Sequence, residues 1–132
     1  MIKTNQFNYR TKNFKERCNE SKYIMEKYID KVPIIVEKAP GSDIVSIDKN
    51  KYLVSSDMTL GQFLLVIRRR INLPEQKAMF VFIKNSIPPT MASIREIYND
   101  YHDDDGFLYM SYAGENTFGE PRFPIAPPLA YG

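Results

Sequence analysis

Cys18 and His102, the only cysteine and the only histidine, are the two side chains that could form a nucleophile and its base. A reactive thiolate needs a neighbour that lowers its pKa. Nothing of the usual signature surrounds Cys18, and it falls in a helical stripe that calls for a small apolar group, so it reads as inert. Asp103, Asp104 and Asp105 offer carboxylates to a hard cation. Three in a row before Gly106 lack the alternating spacing and closing glutamate of a calcium loop, and they read as a solvated turn. Arg68, Arg69 and Arg70 could meet phosphates, yet cations in a last helical turn are what the helix dipole favours, so they read as a solvated basic end. The chain has no glycine-rich phosphate loop, zinc-ligand pair or His-Glu metal motif. No catalytic residue, metal or cofactor is expected, and the chain does not read as an enzyme.

These residues sit on a mixed α/β order. Phe14, Cys18, Ile24, Met25, Tyr28 and Ile29 recur at helical spacing and predict an amphipathic helical region from about Lys12 to Tyr28. "KVPIIVEK" (Lys31 to Lys38) and "KYLVS" (Lys51 to Ser55) predict two strands of a hairpin with a long connection. Thr59 stands three residues before Gln62, a possible capping box, and Leu60, Phe63, Leu64, Val66, Ile67 and Ile71 trace the apolar face of a main helix down to Arg70. Ala78 to Ile83 predicts a third strand, Met91 to Tyr101 a short helix, and Phe107 to Tyr112 a fourth strand. Strand, strand, helix, strand, short helix, strand is the order of an α+β ubiquitin-like β-grasp, here with two additional N-terminal helices. The tail, 120–132, holds four of the nine prolines and is expected to be extended and disordered.

Length, charge and composition narrow the class. One soluble domain is the expectation for 132 residues that are 43% hydrophobic and 26% charged. The net charge is only +2, so nucleic acid is not expected among the partners. The basic residues are uneven, however: in the first 31 residues eight lysines and arginines oppose four carboxylates. A single cysteine forms no intrachain disulfide, and the first residues lack the apolar core of a signal peptide, which makes a cytoplasmic location the default. "KYLVS", flanked by Lys49, reads as a sheet edge guarded by charge: either a site where an extended peptide adds a strand, or an edge that only packs.

"KVPIIVEKAP", "DKNKYLVSSDMTLGQF", "IRRRINL", "NSIPPT" and "DDDGFLYMSYAGENTFG" together resemble the autophagy ubiquitin-like modifiers, the family that includes GABARAP and the microtubule-associated light chains. The resemblance runs from about Phe14 to Gly119. It implies a modifier domain over 1–119 with an N-terminal helical extension, followed by a propeptide, 120–132, that a processing cysteine protease removes between Gly119 and Glu120, after Phe118. Alone, Phe118-Gly119 reads as a turn before a tail. Under the resemblance Gly119 becomes the terminus that activating and conjugating enzymes pass to phosphatidylethanolamine, anchoring the protein on the autophagosome membrane. A glycine suits this transfer because it has no side chain to obstruct a narrow channel. Gly132 also ends the chain in glycine, but the family pattern stops at Gly119.

The resemblance further implies docking of autophagy receptors and adaptors whose peptides carry an aromatic-x-x-aliphatic core. Glu20, Ile24, Pro33, Ile35, Lys51, Leu53 and Phe107 would line the aromatic pocket. Tyr52, Val54, Met58, Phe63, Val66 and Ile67 would line the aliphatic one. Lys31, Lys49, Lys51 and Arg70 would face acidic flanks of the peptide. Ser55 and Ile29 stand where the family usually has proline, and Asn50 where lysine is common. Lys12, Lys15, Arg17 and Lys22 form a basic face that could serve anionic lipids or tubulin. Two other classes stay open: a β-grasp peptide adaptor that is never conjugated, and a basic cytoskeleton- or nucleic-acid-binding domain.

Overall fold

Residues 9–114 are described by the computed structural model of the chain. Phe118, Gly119, Glu120 and the 120–132 tail lie outside the described residues.

Alternation along one strand organises the molecule. Strand β1 (Lys31–Lys38) turns Val32, Ile34 and Val36 to one face and Ile35 to the other, and all four are buried. A strand buried on both faces belongs inside a sheet. Strand β2 (Lys51–Ser55) pairs with it antiparallel, with Val32 opposite Val54 and Ile34 opposite Tyr52, so the long-connection hairpin is found. Strand β4 (Leu108–Gly114) pairs with the other side of β1 in parallel, and strand β3 (Met79–Phe82) pairs antiparallel with β4. The order β2-β1-β4-β3 places β2 at an edge, as its charge pattern suggested.

Helix α2 (Leu60–Arg70) fills one face. Its Leu60, Phe63 and Ile67 are buried in the cluster that holds Val32, Ile34, Tyr52, Val54, Leu108 and Met110. The capping box is present: the Gln62 N–H donates to Thr59 Oγ1 at 3.1 Å and the Thr59 N–H to Gln62 Oε1 at 3.0 Å. Helix α3 (Ile94–Tyr101) starts three residues later than Met91 because the Leu60 and Gly61 N–H groups take the carbonyls of Ala92 and Thr90. Those residues satisfy the open end of α2 and lie in a turn outside the helix, closed by the Ala92 N–H on the Pro89 carbonyl at 3.2 Å. Ser93 and Glu96 form a second capping box, which the spacing Ser-x-x-Glu already spelled out.

The other face of the sheet carries a 3-10 turn, Tyr9–Thr11, and helix α1 (Phe14–Lys27), the two N-terminal helical pieces of the expected fold. The expected helical stripe holds at Ile24, which is buried, and at Met25, which packs against the core, and is corrected at its other positions. Phe14, Tyr28 and Ile29 are exposed and Cys18 is half-buried, whereas the buried positions of α1 are Arg17, Ser21 and Ile24. A polar face docks because the sheet side presents polar partners. Asp105, expected in a solvated turn, is 1% exposed: its Oδ2 accepts from Arg17 Nη1 at 2.7 Å and from the Tyr109 hydroxyl at 2.5 Å, and its Oδ1 accepts from the Phe107 N–H at 2.9 Å. Asp104 alone of the three is exposed, since Asp103 Oδ1 accepts from Arg10 Nη1 at 2.7 Å.

Ser21 closes the contact from the helix side by donating to the Asp105 carbonyl at 2.5 Å. The next residue, Gly106, has φ +92°, where an L side chain is strained, and a Cβ there would land on the Ser21 hydroxyl and 2.9 Å from Ser21 Cβ. Gly106→Ala should therefore cost about 1–3 kcal/mol, seen as a lower urea midpoint at an unchanged m-value. An unshifted midpoint would show that α1 does not press on this turn.

Candidate functional site

The pleat of β2 sends the residues singled out from the sequence to opposite faces of the sheet. Tyr52 and Val54 are buried towards α2, while Leu53 between them is 41% exposed on the α1 side. On the α2 side, Tyr52 meets Phe63 edge to face with centroids 5.6 Å apart, Ile67 and Val54 are buried beside them, and Met58 and Val66 are partly exposed against the same cluster. All six expected aliphatic-pocket residues thus belong to one cluster. Burial pushes the Tyr52 hydroxyl pKa up, and among the described residues this hydroxyl has no hydrogen-bond partner. A buried donor left unpaired costs about 1–3 kcal/mol.

On the α1 side, Ile24, Ile35 and Phe107 form a second buried cluster, with Pro33 buried in β1 next to Ile35. Glu20 and Lys51 stand over it as a hydrogen-bonded ion pair, joined by the Lys12 ammonium at 3.6 Å from Glu20. Sequence reasoning missed one member. Tyr9 is 3% exposed within this cluster, its ring edge to face with Phe107 at 5.2 Å and its hydroxyl donating to the Glu20 carboxylate. A lone tyrosine in a basic segment, 22 residues before the first strand, carries no periodic signal of burial.

The rim cations differ in what they already hold. Lys31 begins β1 opposite Ser55 and is half-buried, and Lys49 is exposed with its ammonium 5.1 Å from the Tyr52 ring centroid. Lys51 is engaged by Glu20, and Arg70 Nε donates to Asp48 Oδ1 at 2.9 Å. Asn50, where lysine is common, donates through its side chain to the Val36 carbonyl at 2.8 Å and closes the end of the β1–β2 ladder. Two basic features are revised. Arg17 turns inward to Asp105 and leaves the basic face to Lys12, Lys15 and Lys22. Arg68 is not a solvated helix end: its Nη2 donates to the carbonyls of Pro74, Glu75 and Lys77 at 2.8 to 3.4 Å and ties down the loop before β3. His102 stacks on Tyr98 at 5.0 Å, an ordinary packing contact at the end of α3.

This arrangement, an edge strand with an apolar group on each face and cations along the rim, can hold an added strand and two of its side chains. Comparison with known proteins agrees on the family. The model of the family described as "Autophagy protein Atg8 ubiquitin like" matches residues 16–119. Autophagy-related protein 8a of Arabidopsis thaliana is 58% identical over 103 residues, which cover 78% of this chain and 84% of that protein. Autophagy-related protein 8B of Oryza sativa subsp. japonica is 57% identical over 103 residues, covering 78% and 87%. The crystal structure of Trypanosoma brucei ATG8 superposes with a TM-score of 0.81 at 41% identity, covering 87% of this chain and 100% of that one.

The ionic bridge over the α1 side has a pH signature. Burial alone would raise the Glu20 pKa, but hydrogen bonds from the Lys51 ammonium and the Tyr9 hydroxyl outweigh it and hold the carboxyl below the ordinary 4.5. The folded state binds this proton more weakly than the unfolded chain, so the stabilisation is complete above 4.5 and is lost as pH falls through the lower folded value. The gap in urea midpoint between the wild type and Glu20→Gln should therefore be widest near neutral pH and narrow as the pH is taken down below 4.5. A gap that stays constant over this window would mean that Glu20 is not held as a carboxylate by its neighbours.

Proposed function

The chain belongs to the Atg8 family of autophagy ubiquitin-like proteins, and from that membership we propose that it is a modifier made as a precursor, trimmed after Gly119 and joined to phosphatidylethanolamine. In this reading residues 1–119 form the modifier and its N-terminal extension, and 120–132 are the removed propeptide. A cysteine protease cuts between Gly119 and Glu120, with Phe118 before the cut. An activating enzyme takes the Gly119 carboxylate as a thioester, and a conjugating enzyme passes it to the lipid amine as an amide. The family match reaches residue 119 and stops there, which supports Gly119 over Gly132. The protein itself performs no chemistry. No helix among the described residues is long and apolar enough to cross a membrane, and a lipid with two acyl chains supplies a stable anchor where one is marginal. The site of action is then the cytoplasm and, after conjugation, the autophagosome membrane.

On that membrane the modifier recruits receptors and adaptors through β2. The observation that carries this is the split of the two residue groups by the pleat: Leu53 on one face, Tyr52 and Val54 on the other, at the open edge of the sheet. A peptide strand paired beside β2 would send residues of an aromatic-x-x-aliphatic core towards Glu20, Ile24, Pro33, Ile35, Lys51, Leu53 and Phe107 at one end and Tyr52, Val54, Met58, Phe63, Val66 and Ile67 at the other. Lys31, Lys49 and Arg70 would add steering of an acidic flank more than affinity. Lys12, Lys15 and Lys22 leave tubulin or an anionic surface as a further partner.

Two experiments test the halves separately. Carboxyl-terminal mass spectrometry of the membrane-bound protein should find Gly119 carrying phosphatidylethanolamine, and Gly119→Ala should remain folded, uncut and off membranes. A membrane-bound form that still ends at Gly132 would refute the assignment. For docking, an acidic peptide with a Trp-x-x-Leu core should bind at micromolar strength, about −8 kcal/mol, and Leu53→Arg should weaken it about tenfold or more, because a guanidinium would enter an apolar pocket without a partner. Calorimetry giving equal affinities would remove β2 as the docking strand.

A further inference from the structure

We infer that Tyr9 is the resident occupant of the aromatic pocket, an internal ligand that an incoming peptide must displace; this deepens the docking reading and rests on it. Of the seven residues assigned to that pocket, Phe107, Glu20 and Lys51 contact Tyr9, and Ile24 and Ile35 share its buried cluster. Its ring packs in one cluster with Ile24, Ile35 and Phe107, its hydroxyl donates to Glu20, and the Lys51 ammonium lies 5.3 Å from its ring centroid. With Tyr9 in place, Ile35 and Phe107 are 0% exposed and Ile24 is 7% exposed. The apolar walls have no surface left to offer a second aromatic ring. Of its apolar members Leu53, at 41%, remains open at the mouth, beside the partly exposed Lys51 and Glu20.

Tyr9 satisfies the site as an aromatic ligand with a polar head would. It supplies an apolar ring, a hydroxyl for the Glu20 carboxylate, and a π face for two cations, Lys51 and Lys12, the latter 5.0 Å from the centroid. Its backbone N–H donates to Glu37 Oε2 at 2.9 Å. The polar contacts of this turn lie near the surface. Tyr9 sits in a three-residue 3-10 turn, and the neighbouring Arg10–Asp103 pair, with side chains 46% and 19% exposed, is partly solvated, the Arg10 guanidinium also lying 3.8 Å from the Tyr109 ring centroid. Exposed pairs of this sort hold a segment weakly. By contrast, α1 just beyond is fixed by the Arg17–Asp105 pair, whose side chains are 10% and 0% exposed, so the turn can leave while the pocket wall stays.

A site filled by its own chain binds with an affinity reduced by the fraction of molecules in which it is empty. The full chain and its Tyr9→Ala variant should be titrated by calorimetry with the acidic Trp-x-x-Leu peptide and with the same peptide carrying Ala in place of Trp. Tyr9→Ala should bind the Trp peptide about tenfold more tightly, the gain expected for a pocket open in about a tenth of wild-type molecules. The Ala peptide, which does not enter this pocket, should gain nothing. Tyr9→Phe, which keeps the ring and loses the Glu20 hydrogen bond, should show a smaller gain. In the wild type, saturating Trp peptide should abolish the NMR ring contact between Tyr9 and Phe107. Equal or weaker binding by a folded Tyr9→Ala, an equal gain for both peptides, or a Tyr9–Phe107 contact that persists in the complex would each make Tyr9 a fixed wall and overturn the inference while docking stands. If the Trp peptide binds neither protein, the docking reading itself fails and the inference falls with it. Should Tyr9→Ala not fold, the ring contact in the wild type decides.

Discussion

Arg17 and Asp105 stand 88 positions apart, and their 2.7 Å contact fixes how the N-terminal helix lies on the sheet. Both ends are shielded from water, so the charges are worth keeping only while they face each other. The carboxylate is also filled from its own loop, by the Phe107 N–H and the Tyr109 hydroxyl, which leaves little capacity for water. Burial, and then this carboxylate, push the Tyr109 pKa well above its ordinary value. Breaking one side of such a pair costs about 3–5 kcal/mol, more than an apolar contact of similar size, because a bare charge is left behind.

With α1 docked through this pair, the sheet has two unlike faces. The α2 face is sealed by apolar packing of the kind that tolerates no water and little motion, with Phe63 and Ile67 at 1% and 0% exposure. The α1 face is held by hydrogen bonds and ions laid over a small apolar cluster: Glu20 with Lys51, Lys12 and Tyr9, and Asp103 with Arg10. Polar contacts near solvent exchange with water and peptide groups at little net cost, and dense packing does not. One edge strand, β2, borders both faces, so a partner strand there would meet a rigid surface at one end and an exchangeable one at the other.

Much of this architecture is encoded in local order. The strands at Lys31–Lys38 and Lys51–Ser55 were legible because β-branched runs between turn residues favour extended backbone. Helix α2 announced both its cap at Thr59 and its apolar stripe. The sequence also holds a finer signal: Ser93-x-x-Glu96 marks the true start of α3. Helix α1 was legible in part: Ile24 of the stripe is buried and Met25 packs on the core, but Phe14, Tyr28 and Ile29 keep helical spacing and yet face solvent, while Arg17 and Ser21 complete the buried face. Hydrophobic period finds the docked side of a helix only when the opposing surface is apolar.

The residues expected at the peptide site came together because nearly all of them fall in segments whose order along a β-grasp is fixed by strand pairing, and the family motifs name those segments. Composition, capping and alternation therefore determined the elements, their order and the edge position of β2, while the family was carried by the quoted motifs. Tertiary structure alone decided that Asp105 is a buried partner and not a solvated turn, that Arg68 holds a loop, and that Tyr9 covers the α1-side cluster. Each of these depends on a contact that local sequence pattern does not reveal. The energy of a charge or a ring depends on what surrounds it, and neighbours in sequence do not specify those surroundings.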